Sequence, residues 1–345
     1  MDGSIYEFGH LPRALAMGEQ GAEIPRAHPP YRTKPLVGVI RNPRSHLNKG
    51  HTPELADQPN VLTAVPRTRS DIATVLAEFA ALSVDAIAVD GGDGTVRDVL
   101  TCGASVFGES WPPLIVMPKG KTNALAVDLG LPRQWTLADA LQSLRDGHMV
   151  ERRPILVDQP GGPAGQVMGF ILGSGIFTTA TQAGQTAHKL GAFNSLAVGV
   201  TAVSGVMQAL FGIGKSPWRA QTGMRILTGP EAQSLEHSGY GDCASRYAMV
   251  FSTLERFPLG MQLFGRAAGT LKYALLDAPL RRVVAMVPLL LTGWDRPFHA
   301  RLGIHRGTLE EAILELEDRF ILDGEAFPAG RYRLRPGPRL RFITP

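Results

Sequence analysis

Cysteine is scarce in this chain: two in 345 residues, Cys102 and Cys243, with no His or Cys at ligand spacing around either. That excludes a disulfide framework and a structural zinc site, and it suits a reducing cytoplasm. Charge is sparse as well, at 19% of residues, and 35 Lys and Arg against 31 Asp and Glu leave only +4. Such a balance suits an anionic partner, but with no block of Lys or Arg it is no nucleic-acid footprint. Residues 1–33 carry Asp2, Glu7, Glu19 and several prolines but no apolar core of signal-peptide length, and they read as a flexible leader. One long uncharged run occurs, Leu190 to Gly214. Its Gly, Ser, Thr and Gln content favours a buried or interfacial helix over a stable transmembrane span.

What is plentiful is apolar residue, 44%, together with 39 Gly and 26 Pro. A chain of this size buries a large core and more readily forms two domains than one. From Lys34 the pattern alternates. Leu36–Ile40, Val61–Val65, Ala86–Val89 and Leu114–Met117 read as buried strands. Asp71–Leu82, with Ser70 as N-cap, Ala124–Leu129 and Leu137–Leu144, with Thr136 as cap, read as helices. Strand–loop–helix repetition predicts a parallel, helix-covered α/β sheet over 34–150, with ligands at the carboxyl ends of its strands. After residue 151 short apolar runs, Val283–Val287 among them, are punctuated by Gly and Pro. They predict a β-rich, antiparallel sandwich-like second domain over 151–330. Arg331–Arg335 alternates as an edge strand, so 331–345 is a C-terminal strand with the option of returning to the first domain.

Three loops at the predicted strand ends hold the chemistry. In Gly91-Gly92-Asp93-Gly94-Thr95 an apolar run stops in paired glycines and restarts as a helix. Glycines let backbone N–H groups approach an anion, and the helix N-terminus adds partial positive charge. Asp93 is placed there for Mg²⁺ or a reacting hydroxyl, and Thr95 for phosphate; the plainer alternative is a tight turn. Asn42-Pro43-Arg44-Ser45 follows the first strand, and alone it reads equally as a turn. Pro118-Lys-Gly-Lys-Thr-Asn123 lacks the first glycine of a Walker A loop, leaving Gly120, Thr122 and Asn123 as a third phosphate-facing loop. Lys119 and Lys121 either neutralise phosphate or are simply solvated. Late in the chain Asp323-Gly324-Glu325 is either a hairpin turn or a general base, Glu325, positioned by Asp323, which alternatively holds a metal. His299 and His305 have no metal partners at spacing and read as solvated. Arg331, Arg333, Arg335, Arg339 and Arg341 read as a solvated strand face, with anionic lipid as the alternative.

Together these residues resemble the diacylglycerol kinase catalytic-domain family, the lipid kinases that include bacterial diacylglycerol kinases and sphingosine and ceramide kinases. Asn-Pro-x-Ser, Gly-Gly-Asp-Gly-Thr, Pro-x-Gly-x-x-Asn and Asp-Gly-Glu fall in family order across residues 34–345, and Leu172–Phe177 is similar to the family's entry into its second domain. The resemblance implies an ATP-dependent kinase that phosphorylates a lipid hydroxyl, diacylglycerol by default, in a cleft between two domains. It implies ATP at Asn42–Ser45, Gly91–Thr95 and Thr122–Asn123, Asp93 acting with Mg²⁺, and Glu325 as base. A cytoplasmic, peripherally membrane-associated protein follows, with a homodimer as an option and the apolar stretches 192–213 and 257–264 bordering an acyl groove. Three departures stand out. Ser45 is followed by His46 rather than Gly; the third loop reads Gly120-Lys-Thr-Asn-Ala124; and Ala268-Gly-Thr-Leu-Lys272 lacks the two acids tied to an accessory Mg²⁺. The rival readings are an NAD kinase, which shares Gly-Gly-Asp-Gly-Thr, and a degenerate nucleotide- or lipid-binding regulator.

Overall fold

The computed structural model describes residues 32–161, 165–181 and 217–345. The leader up to residue 31 and the uncharged run Leu190–Gly214 lie outside the described residues. Short apolar, β-branched runs form β1 (Val37–Arg41), β2 (Val61–Ala64), β3 (Ala86–Gly91) and β4 (Leu114–Pro118). Between and after them come α1 (Arg69–Ala81), α2 (Asp93–Phe107), α3 (Ala124–Asp128) and α4 (Leu137–Asp146), and then β5 (Met149–Arg152). The strands β2-β1-β3-β4 are mutually parallel, as the alternating pattern predicts. Thr136 caps α4 as expected, but α1 starts from Thr68 rather than Ser70. The Thr68 hydroxyl accepts from Asp71 N while the Asp71 carboxylate accepts from Thr68 N, a reciprocal pair that Ser70 has no partner to match.

The rest of the chain is mostly strand. It runs through β6 (Ile155–Asp158), β7 (Gln166–Gly169), β8 (Ile171–Gly175), β9 (Thr222–Thr228), β10 (Gln233–Ser234), β11 (Ser245–Arg246), β12 (Ala248–Ser252) and β13 (Leu271–Leu276). After α5 (Arg281–Leu291) come β14 (Ile304–Leu309), β15 (Ala312–Leu316), β16 (Phe320–Leu322), β17 (Glu325–Phe327), β18 (Gly330–Pro336) and β19 (Leu340–Ile343). Two antiparallel sheets result, β10-β9-β15-β18-β6-β7 and β14-β13-β12-β8-β16-β17. Val157, Met224, Ile226, Phe251, Leu314, Phe320 and Tyr332 from both sheets share one core. The last strand, β19, leaves this sandwich and lies between β4, parallel, and β5, antiparallel.

Helix α2 joins the two portions. Val99 and Leu100 share a core with Met168 and Phe170, and the Thr101 hydroxyl accepts from Met168 N at 3.1 Å. The residues that set the glycine loop are therefore clamped from both sides.

Three expectations fail here. Arg331–Arg335 is not an edge strand, because β18 pairs with β15 on one side and β6 on the other. Val283–Val287 lies in a helix, α5, rather than in a β run: Val283, Val284 and Leu290 are buried at helical spacing, which outweighs the β preference of valine. The two histidines are buried rather than solvated. His299 packs between Trp294 and Phe298 at 4.8 Å from each ring. His305 sits 2.8 Å from the Asp277 carboxylate, which also accepts from Ser238 and pairs with Arg246. Burial alone would raise the Asp277 carboxyl, but the bonds from His305 and Ser238 and the Arg246 charge hold it down at about 2.

Candidate functional site

The carboxyl ends of β1, β3 and β4 are neighbours in the sheet, so their three loops have to meet. Backbone bonds tie them together: Asn42 N donates to Asp90 O, Lys119 N to Gly91 O, and Leu47 N to Lys119 O. Asn48, 3% exposed, donates from one amide nitrogen to Asn42 O, Asp90 O and the Asp90 carboxylate. Asp90 is held in turn by Arg41 at 2.5 Å, a buried charge pair under the loop floor. The side chains of Asn42 and Thr95 meet at 3.0 Å, which joins the first loop to the start of α2. Asn42 Oδ1 also accepts from Arg44 N at 3.0 Å, while Pro43 and Arg44 are exposed and Ser45 is buried.

The glycines permit this closeness. A Cβ on Gly120 would stand 2.7 Å from Gly92 Cα, so the second and third loops touch backbone to backbone. Asn123, in the left-handed conformation at φ 51°, accepts from Gly120 N and donates to Gly120 O, closing the third loop on itself. Thr122 and Lys121 are exposed, and Lys119 pairs with Glu54 at 3.0 Å. Gly94 differs from its neighbours. A Cβ there would meet nothing nearer than the Arg97 guanidinium at 3.7 Å, an ordinary contact.

Asp93 opens α2, and its carboxylate accepts from Ala124 N at 3.0 Å and Leu125 N at 3.2 Å. It thus caps α3 across the loop cluster. Burial pushes its carboxyl above the usual range, and these N–H bonds pull the other way.

The second set of acids arrives from the sandwich. Asp323 and Gly324, at φ 45° and 81°, form a two-residue hairpin turn joining β16 to β17. The turn reading is therefore correct as geometry, and the turn also delivers carboxylates to the loops. Asp323 accepts from Phe170 N and Ile171 N, a close fit made by Gly169, where a Cβ would stand 2.6 Å from the Asp323 carboxylate. Burial first, and then the nearby negative Asp93, push the Asp323 carboxyl up to about 7.

Arg97 escaped the sequence reading, although a lone buried cation one turn after Asp93 on an otherwise apolar helix face was the available signal. It donates to Leu322 O and Asp323 O, pairs with Asp98 at 3.0 Å, and lies 3.9 Å from Glu325. Asp128 was missed as well. Its fully buried carboxylate binds Arg152 at 2.6 Å and accepts from Glu255 N and Arg256 N, bridging α3 to the segment after β12. Four of the five late arginines are matched by acids: Arg333 and Arg335 with Asp158, Arg331 with Glu315 and Arg339 with Glu151.

Asp93 and Asp323 supply hard carboxylate oxygens, Asp93 close enough to raise the proton affinity of Asp323, and each carboxylate has lone pairs left beyond its N–H bonds. Mg²⁺ suits such a donor set, since it typically takes one or two carboxylates and completes its shell with water and phosphate oxygens. Among the described residues no cluster of three or more His, Cys, Asp or Glu forms a cage that would hold a metal unaided.

An α/β sheet with three converging loops is thus met by acids from an antiparallel sandwich. Residues 37–155 match the family model of the diacylglycerol kinase catalytic domain. No curated protein matches the sequence. Among solved structures the chain is similar to one named "a putative diacylglycerol kinase from Bacillus anthracis str. Sterne", with TM-score 0.62 and 18% identity over 91% of this chain and 99% of that one. A second diacylglycerol kinase from the same organism gives TM-score 0.56 and 16% identity over 91% and 98%. At such identities these likenesses speak for the fold, which extends well past the matched segment.

Proposed function

We propose that the protein is an ATP-dependent lipid kinase that transfers the γ-phosphate to a lipid hydroxyl, with diacylglycerol as the first acceptor to test. The observation that carries this reading is the meeting of two acids from the sandwich turn, Asp323 and Glu325, with Asp93 and Arg97 at the head of α2. Phosphoryl transfer asks for little covalent chemistry from the protein. It needs anchored phosphates, neutralised charge and a carboxylate near the attacking hydroxyl. The three-loop cradle, with Asn42 to Ser45, Gly91 to Thr95 and Gly120 to Asn123, anchors the nucleotide through backbone N–H groups and the α2 N-terminus. Asp93, with Asp323 beside it, would hold Mg²⁺, which when bound screens the phosphate oxygens.

Glu325 is the base in this reading, taking the proton of the lipid hydroxyl as its oxygen attacks phosphorus. Arg97 lies 3.9 Å from Glu325 and, through its bonds to Leu322 O and Asp323 O, fixes the turn that carries it. The 34–150 portion binds nucleotide, the 151–330 portion presents the lipid, and the protein works as a peripheral visitor to a membrane surface.

The test is Mg²⁺- and ATP-dependent phosphate transfer to mixed micelles of diacylglycerol, ceramide, sphingosine or monoacylglycerol, with NAD as a further acceptor. Transfer to one lipid, abolished in Asp93→Asn and Glu325→Gln, supports the reading. Transfer to NAD alone refutes it, as does ATP binding without turnover on any acceptor.

A further inference from the structure

Four of the five arginines of the last strands are matched by acids, but another arginine group is not. Over residues 256–309 the chain holds eight Arg and Lys against two Asp and no Glu, a local charge of +6 that exceeds the +4 of the whole protein. Of the two acids, Asp277 is fully buried with Arg246, and Asp295 lies beside His299. Arg256, Arg266, Arg281, Arg282, Arg296 and Arg301 are exposed, and none of the six makes an ion pair among the described residues. Spread over 50 positions of sequence, this charge forms no block.

Large hydrophobic side chains stand out from the same region. Leu259 is 98% exposed, at the tip of a single turn, Pro258–Gly260, and its φ is +60°. A leucine there is costly twice over, since it wets an apolar side chain and holds a left-handed backbone that Gly or Asn would accept easily. The tip is rigidly based. Phe257 and Phe264 stack at 5.6 Å beneath it, and Gln262 N donates to Leu291 O, which ties it to the end of α5. Helix α5 buries Val283, Val284 and Leu290 and exposes Arg281, Ala285, Pro288 and Leu289 on its other side. Leu289 is 54% exposed, and Phe298, 44% exposed, stacks on Trp294 just beyond the helix.

We infer that this face, the Leu259 tip with the outer side of α5 and the Trp294–Phe298 segment, docks on an anionic lipid bilayer. Protruding apolar side chains set among unpaired arginines fit the headgroup boundary, where the apolar atoms enter and the guanidinium groups meet lipid phosphates. Charge decides the partner, because an apolar protein surface would not call for six exposed cations. The inference deepens the lipid-kinase reading and rests on it for the choice of bilayer over other polyanions. Its base is linked to the site, since Asp128 at the end of α3 accepts from Glu255 N and Arg256 N, just before Phe257.

The test is flotation of the purified full chain with vesicles of phosphatidylcholine alone or mixed with phosphatidylglycerol, at low and high salt. The wild type should bind the anionic vesicles, and salt should release it. Leu259→Asn should weaken binding about tenfold with no loss of melting temperature, because Asn tolerates the backbone and no core contact is removed. Arg266→Gln combined with Arg296→Gln should weaken it by about fivefold per arginine, and Arg225→Gln, in the paired strand region, should not. Equal binding to neutral and anionic vesicles, or wild-type binding by the Leu259 and arginine variants, overturns the inference; so does a fall in melting temperature for Leu259→Asn. Flotation needs neither ATP nor turnover. Loss of docking with micellar transfer intact would thus sink this inference alone, and docking without any transfer would sink the kinase reading alone.

Discussion

Gly94→Ala is expected to stabilise the protein and impair it at once. Gly94 is the second residue of α2, and a Cβ there would reach only the Arg97 guanidinium at 3.7 Å, an ordinary contact. Replacing a helical glycine by alanine near a helix start should add about 0.5 kcal/mol, or about 1–2 °C in melting temperature. The same methyl group would stand beside the Arg97 guanidinium in the loop that the proposed function assigns to phosphate. Weaker ATP binding and turnover, each by tenfold or more, about 1.4 kcal/mol, should follow. Gly120→Ala supplies the contrast. Its Cβ would lie 2.7 Å from Gly92 Cα, a backbone clash with no side chain to yield, costing about 1–3 kcal/mol. Both variants should lose nucleotide affinity, with melting temperatures moving in opposite directions. Differential scanning fluorimetry with and without Mg²⁺ and ATP reads both quantities in one experiment. A Gly94→Ala protein that binds and turns over ATP like the wild type would refute the phosphate-cradle assignment outright.

Other outcomes follow from the acids and their cation. Arg97→Met should destabilise by about 1–3 kcal/mol, because it leaves the carbonyls of Leu322 and Asp323 without their donor while Asp98 keeps Arg69, and Arg97→Lys should recover only part of this for want of a planar fork; denaturant titration reads the difference. The folded protein holds the Asp323 proton up to about pH 7, against 3.8 for an ordinary carboxyl. Stability from that proton is therefore full below the lower value and is lost as pH rises through the upper one. Melting curves of wild type and Asp323→Asn should converge or diverge across that window, and parallel curves would contradict the shift. Asp93→Asn puts an amide N–H against Ala124 N or Leu125 N, so it should loosen α3 by about 1–3 kcal/mol even without nucleotide, which hydrogen exchange of those amides would report.

Much of the sheet and of the loop cluster was legible in the sequence, because both rest on local signals. Apolar runs ending in Gly, Asn or Pro mark strand ends, and neighbouring parallel strands leave their loops no place but together. Thr136 was legible for the same reason, since a cap is decided within four residues. Val283–Val287 was misread because five residues of β-branched character conceal a helical period that becomes visible only over eleven. His305 was misread because its partner Asp277 lies 28 positions away on the adjacent strand. Arg97, Asp128 and the six exposed arginines share that difficulty: the groups that give them meaning come from distant sequence. Asp323 shows the two kinds of information combined, a local Asp-Gly turn whose altered proton affinity arises from Asp93, which precedes it by more than two hundred residues.

Strand β19 has a consequence for how the molecule is made. Its residues, Leu340–Ile343, fill the slot between β4 and β5, so the sheet that carries the three loops is closed by a strand made only after the whole sandwich. Until then β4 and β5 present unpaired edges, and Leu340 and Phe342, buried in the finished fold, are not yet available to cover the core beneath them. A fragment ending at residue 155, however well it spans the family match, would keep those open edges permanently. Loss of residues 340–345 should for the same reason harm the sheet that carries the three loops more than the sandwich next to it in sequence.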